Sequence, residues 1–207
     1  MTQLNNNYFK LQTGYLFPEI SRRVSQFLKE NPNQRILRMG IGDVTRPLSS
    51  SVIAAFADGV KEMGVTDTFR GYGPEQGYNF LREAISKDYQ SRGANISPNE
   101  IFISDGSKCD TGNILEIFDM QSVIGVCDPV YPVYVDAAVM AGRTGNVQKN
   151  GYFERLTYLQ CVEENNFLPA IPKQRLDLIF LCFPNNPTGQ VATKEYLLQW
   201  VQYAKQN

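Results

Sequence analysis

The side chains best suited to chemistry fall in three short loops, each following a predicted strand. The apolar run from Leu178 to Phe183 breaks into Pro184, Asn185, Asn186, Pro187, Thr188 and Gly189. A continuous apolar run of this length predicts a strand buried on both faces. Two prolines and a glycine then predict an abrupt turn. The asparagine amides would stand at the carboxyl end of that strand, where open α/β sheets hold their ligands. The same letters also read as an ordinary turn, because Asn-Pro and Thr-Gly are common turn signals. A second loop, Ser104 to Asp110, sets Ser107 and Lys108 at the start of a predicted helix. Free N–H groups, a hydroxyl and an ammonium together suit a phosphate. The alternative is a serine-capped helix with a solvated lysine. The third loop, Asp128 to Tyr134, holds Tyr131 among prolines, either as a platform for a planar ring or as a packed turn residue. Taken together, a phosphate cradle, a ring platform and an amide donor describe a site for a planar phosphorylated cofactor.

The composition narrows the alternatives. The chain has 207 residues, a net charge of −1 and no histidine. Near-balanced charge gives no reason to expect nucleic acid or an anionic membrane as partner. Without histidine there is no Ser-His-Asp or Cys-His pair within the chain, and the common zinc arrangements are absent. Neither G-x-x-x-x-G-K-[ST] nor G-x-G-x-x-G occurs. The four cysteines form no C-x-x-C pair. Cys127 and Cys182 lie in apolar runs and read as small hydrophobes. Cys109 follows a lysine at a helix start, which favours thiolate, but it too is read as packing. No apolar run reaches transmembrane length, and the first residues lack the layout of a secretory signal. The expected location is cytoplasmic.

The elements that must position these loops follow from periodicity. Residues 1–16 read as an arm. Helices are predicted over 18–30, with Ile20, Val24, Phe27 and Leu28 on one face, and after Pro47, with Val52, Ile53, Phe56, Val60 and Met63 buried. A glycine-rich loop at 70–77 precedes a third helix carrying Phe80, Leu81, Ile85 and Tyr89. Strands are predicted at 36–39, 101–103, 123–127, 156–159 and 178–183. Helices follow the loops at 104–110 and 128–134, and a last one starts near Thr193 with Tyr196, Leu197, Trp200 and Val201 buried. Alternating strands and helices imply an α/β fold, with a mostly parallel sheet and helices on both faces.

Gly40-Ile-Gly-Asp43, Arg70-Gly-Tyr-Gly-Pro-Glu-Gln-Gly77, Ser104–Asp110, Asp128-Pro-Val-Tyr-Pro-Val-Tyr-Val-Asp136 and Pro184–Gly189 lie along the chain in that order. In these motifs the sequence resembles the pyridoxal-phosphate aminotransferases of fold type I. With Gly14-Tyr-Leu-Phe17, it is similar within that family to the LL-diaminopimelate aminotransferases. The resemblance covers essentially the whole chain. It implies pyridoxal 5′-phosphate as cofactor, held by Ser107 and Lys108 at its phosphate, by Tyr131 at its ring and by Asn186 at its ring hydroxyl oxygen. Tyr72 would reach the phosphate from the partner subunit of a homodimer. Tyr15, Gly42, Lys108, Tyr131 and Asn186 would contact the substrate. Glu75 would face the second ammonium of diaminopimelate, a group ordinary amino acids lack. Otherwise Glu75 is a helix-start glutamate favoured by the dipole.

Within the resemblance, 1–48 would be the arm and the first part of a small domain, and 49–207 the first part of the large cofactor-binding domain. The lysine that carries the cofactor, the aspartate for its ring nitrogen and the arginine for the substrate carboxylate match nothing within 1–207. The expectation is the amino-terminal part of a longer enzyme, with residues 1–207 alone inactive. The whole enzyme would exchange an amino group between LL-diaminopimelate or tetrahydrodipicolinate and glutamate or 2-oxoglutarate, in lysine biosynthesis. The alternatives are another fold type I aminotransferase, for aromatic or dicarboxylic amino acids, and a non-catalytic truncated binding module.

Overall fold

Ile124–Asp128 forms the central strand, β1, of a three-stranded parallel sheet. A computed structural model of the protein describes residues 2–11, 16–38 and 44–207, with the side chains of Leu16 and Phe17 left aside. The chain divides into two compact units, Met1–Tyr15 with Asp105–Asn207, and Leu16–Ser104.

In the first unit β1 pairs with Leu156–Gln160 (β2) on one side and Leu178–Phe180 (β3) on the other. The register sets Ile124 beside Leu156 and Leu178, and Asp128 beside Gln160. Alternation along the strands sends side chains to opposite faces. On one face Ile124, Val126 and Leu156 pack with Leu115, Phe153 and the buried Ala137–Val139 segment of helix α5 (Val133–Met140). On the other, Leu159 packs with Leu176 and with Trp200 and Tyr203 of helix α6 (Lys194–Gln206). Both faces are therefore covered, which explains why these strands read as continuous apolar runs.

Hydrogen bonds tie the connections to this core. The Tyr203 hydroxyl accepts from Leu176 N at 2.8 Å and donates to Gln174 O at 2.7 Å, fixing α6 against the approach to β3. Thr193 caps α6 by accepting from Tyr196 N, as Ser/Thr caps do. Helix α4 (Ser107–Asn113) passes directly into a 3-10 turn, Ile114–Ile117. Buried Arg143 donates to the carbonyls of Leu115, Phe118 and Asp119, so its charge satisfies groups that the end of that turn leaves open.

The second unit holds α1 (Leu16–Glu30), α2 (Ser50–Met63) and α3 (Asn79–Ser91). Ser49 caps α2, accepting from Val52 N at 3.4 Å. Ser97 and Glu100 form a capping box around a 3-10 turn at Pro98–Glu100. Arg82 of α3 is buried and donates to Gln76, Asn79 and Pro98, joining the glycine-rich loop to that turn.

Several expectations are corrected. Residues 36–38 and 101–103 are not in strands. Ile103 N instead donates to Gln76 O at 3.0 Å, and Phe102 is exposed beside buried Ile101. A strand requires a partner ladder, which a short apolar run cannot specify. Residue 39 lies outside the described residues. The apolar face of α2 is exposed at Val52, Ile53, Phe56, Val60 and Met63, and so are Phe80, Leu81 and Tyr89 of α3 and Phe27 and Leu28 of α1. On α6, Leu197 and Val201 are exposed, and the buried pair is Trp200 with Tyr203. Strand β3 stops at Phe180, three residues before the end of its apolar run. Among the described residues no helix is long and apolar enough to cross a membrane, and no group of three or more acidic, cysteine or histidine side chains can hold a metal.

Candidate active site

Because β1 and β3 run parallel, the loops that follow them leave the sheet at the same edge. The loop after β1 carries Tyr131 and the loop after β3 carries Asn186. Asn185 joins them, its Nδ2 donating to Pro129 O at 3.2 Å and to Thr188 Oγ1 at 3.0 Å. Its backbone N donates to Gln190 O at 2.8 Å, and its carbonyl accepts from Gly189 N at 2.7 Å. The 185–190 segment is thus closed on Asn185, which is only 4% exposed. Gly189 sits at φ 73°, in the left-handed region that glycine enters without steric cost. Asn186, next along, is exposed.

Tyr131 is half-buried. Its ring lies nearly perpendicular to Tyr134, with centroids 6.1 Å apart, and Tyr134 stacks on Phe180 of β3 at 5.0 Å. The aromatic series supports Tyr131 from behind and leaves part of its ring open, as a platform requires. At the root of the same loop, Asp128 accepts from Tyr152 Oη at 2.5 Å and from Gln160 Nε2 at 3.0 Å. The carboxylate holds the Tyr152 phenol above its usual range, because the hydrogen bond favours the protonated hydroxyl. Neither Asn185 nor the Asp128–Tyr152–Gln160 group stands out in the sequence. Nothing separates two adjacent asparagines except an acceptor 56 residues away.

Ser107 and Lys108 open α4, and both are exposed. The N-cap is Gly106 and makes no side-chain cap bond, so Ser107 is not the cap. Among the described residues the Ser107 hydroxyl makes no hydrogen bond and the Lys108 ammonium no ion pair. Gly106 has φ 144°, and nothing lies within 4 Å of the place a Cβ would take. Lys108 also acts on Asp136 of α5: burial pushes that carboxyl up, and the ammonium offsets only part of the rise. A hydroxyl, an ammonium, a supported ring and an exposed amide belong to one unit of the protein. Their donor chemistry fits a planar ring bearing a phosphate.

Cys109 is exposed rather than packed. Its Sγ donates to Asp105 Oδ2 at 3.3 Å, and that carboxylate raises the thiol above its ordinary value, outweighing the opposite pull of Lys108. The nearby lysine therefore does not make it a thiolate.

In the other unit, Tyr72 is fully exposed in the 70–77 loop. Arg70 lies over the rings of Tyr78 and Phe80, at 5.5 and 5.0 Å, and pairs with Glu62 at 3.3 Å. Glu75 is exposed in a turn closed by Gly77 N donating to Pro74 O at 2.8 Å. Helix α3 begins at Asn79 with Tyr78 as N-cap, so Glu75 lies outside its first turn. A helix-dipole reason for that glutamate is not supported. Tyr15 and Gly42 lie outside the described residues.

Three comparisons with known proteins follow the same line. Residues 34–207 match the family model "Aminotransferase class I and II". The chain is 56% identical over its whole length to an LL-diaminopimelate aminotransferase of Prochlorococcus marinus (strain MIT 9515), covering 51% of it. Among solved structures it superposes with a TM-score of 0.88, at 42% identity, on an L,L-diaminopimelate aminotransferase from Chlamydomonas reinhardtii, covering all of this chain and 50% of that one. The substrate-bound BacF structure from Bacillus subtilis gives 0.75 at 27% identity, again over all of this chain and 50% of the other. The chain thus spans about half the length of the relatives it matches, and its architecture is that of fold type I aminotransferases. With most of its residues inside the family model and a sheet edge built to suit, this chain belongs to the class I and II aminotransferases.

Proposed function

We propose that these residues form the first half of an LL-diaminopimelate aminotransferase, which moves an amino group between LL-diaminopimelate and 2-oxoglutarate. In the biosynthetic direction glutamate donates and tetrahydrodipicolinate, in its opened keto form, accepts. The reaction then belongs to lysine biosynthesis, in the cytoplasm. The observation that carries the reading is the junction at the sheet edge, where Asn185 bridges the Tyr131 and Asn186 loops at 3.2 Å. The 56% identity to a named enzyme over the whole chain supports the substrate.

Enzymes of this family use pyridoxal 5′-phosphate, which supplies an electron sink for the bond broken at the substrate Cα. Ser107 and Lys108 bind its phosphate, the hydroxyl by hydrogen bonds and the ammonium by charge. Tyr131 fixes the plane of the ring by stacking. Asn186 donates an amide hydrogen to the ring hydroxyl oxygen, holding negative charge there. Lys108, Tyr131 and Asn186 also border the substrate, with Tyr15 and Gly42. The active enzyme is a homodimer, and fully exposed Tyr72 reaches the partner's phosphate site. Glu75 recognises the distal ammonium of diaminopimelate.

Glu75→Gln in the full-length enzyme tests the substrate. A charge-assisted hydrogen bond to an ammonium is worth about 1.5–3 kcal/mol. The variant therefore loses about 10- to 100-fold in kcat/KM for diaminopimelate while turnover of glutamate alone is unchanged. Equal loss for both substrates, or loss for neither, removes the assignment.

A further inference from the structure

We propose that Asn185 is a positioning residue, setting the amide of Asn186 relative to the ring of Tyr131. This rests on the cofactor reading above and assigns a residue it leaves without a role. The Asn185 side chain is buried, and both hydrogens of its amide are committed, one to Pro129 O and one to Thr188 Oγ1. Pro129 O can only accept, so the amide cannot turn over without setting two oxygens against each other. Its orientation is therefore fixed. Asn185 Oδ1, in contrast, is buried without a hydrogen-bond partner among the described residues. What the amide provides is a cross-link between two loops that share no ladder beyond Phe180.

The link is short at both ends. On one side a single peptide separates Asn185 from Asn186. On the other, a single residue, Val130, separates Pro129 from Tyr131, and the loop root is held by Asp128. Sliding of either loop would move the amide donor away from a ring lying on Tyr131. A carboxylate at this position keeps the shape and can accept from the Thr188 hydroxyl, but has no hydrogen for Pro129 O. Serine is neutral, but too short to reach Pro129 O and close the turn together.

Asn185→Asp, Asn185→Ser and Thr188→Val are compared with the parent in the full-length enzyme freed of cofactor. Titration with pyridoxal 5′-phosphate gives affinity, the pH midpoint of the bound cofactor's visible absorbance reports hydrogen bonding at its ring, and thermal unfolding gives Tm. Both Asn185 variants are expected to lose about tenfold or more in cofactor affinity, with the midpoint moved by at least half a pH unit. Thr188→Val keeps the bond to Pro129 O, so Tm falls while the midpoint stays. Should Asn185→Asp not fold, Asn185→Ser serves the same comparison. A lowered Tm with an unmoved midpoint in the Asn185 variants reduces Asn185 to a structural residue and overturns the proposal. If the parent itself binds no pyridoxal phosphate, the cofactor reading fails first, so the two failures are distinguishable.

Discussion

Burial sets the reactivity of Cys127 and Cys161. The Cys127 thiol, in the middle of the sheet, is pushed up to about 12 by desolvation, since its thiolate would be charged in a poorly hydrated interior. A raised acid favours the neutral form in the folded state. The stability this confers is complete below the thiol's ordinary value of 9.0 and is lost as the pH rises from there toward about 12. Cys161 is buried in the same way, whereas Cys109 is exposed, and Asp105 is the largest influence holding its thiol up. Iodoacetamide at pH 8 should therefore label Cys109 in the native protein and leave Cys127 and Cys161 unlabelled until unfolding. Asp105→Asn should speed the Cys109 reaction several-fold. Mass spectrometry of the labelled peptides reads both outcomes. The polar loops proposed for the cofactor were legible at this scale, because Ser107, Lys108, Tyr131 and Asn186 all follow apolar runs. The Asn185 bridge was not, since it depends on a carbonyl brought to it by the parallel pairing of two distant strands.

Among the elements, helices were easier to read than strands. A helix carries its hydrogen bonds, caps and punctuation locally, so Ser49, Thr193 and the Ser97–Glu100 box mark real starts. A strand depends on a neighbour. The runs at 36–38 and 101–103 have the composition of strands but no ladder among the described residues. The run from Leu178 keeps its ladder only to Phe180, and a bend at Phe183 already leads into the Asn185 turn. The sheet is tight at Gly125 of β1, where a Cβ would stand 2.6 Å from Leu176 Cδ1 and 3.6 Å from Leu159 Cδ1. Both leucines belong to the cluster beneath α6 and have little room to withdraw. Overpacking of this kind costs about 1–3 kcal/mol. Gly125→Ala should lower stability by that amount in urea unfolding, with no change of charge or hydrogen bonding to confuse the result.

For the molecule as a whole, the notable feature is apolar surface left uncovered. The side of α2 formed by Val52, Ile53, Phe56, Val60 and Met63 has the periodicity of a buried face, yet all five are exposed. Its pattern was legible and its covering was not, because periodicity says that a face seeks apolar neighbours without saying which. Contiguous apolar patches promote association in water. The 207-residue chain by itself should bind an apolar dye and associate as concentration rises. Phe56→Lys combined with Val60→Lys should weaken both, by dye fluorescence and sedimentation velocity. Unchanged association would mean that other surfaces drive it.

The central place of β1 also orders the molecule in time. A strand paired on both sides and covered on both faces can release its amide protons to solvent only when much of the unit opens. Hydrogen–deuterium exchange should therefore reach Gly125–Cys127 last, well after the 185–190 loop and the single-edged β2 and β3. The root of the Tyr131 loop grows directly out of this slow segment. Brief local openings that loosen the Asn186 side would leave the Tyr131 loop standing, a template on which the other loop can close again.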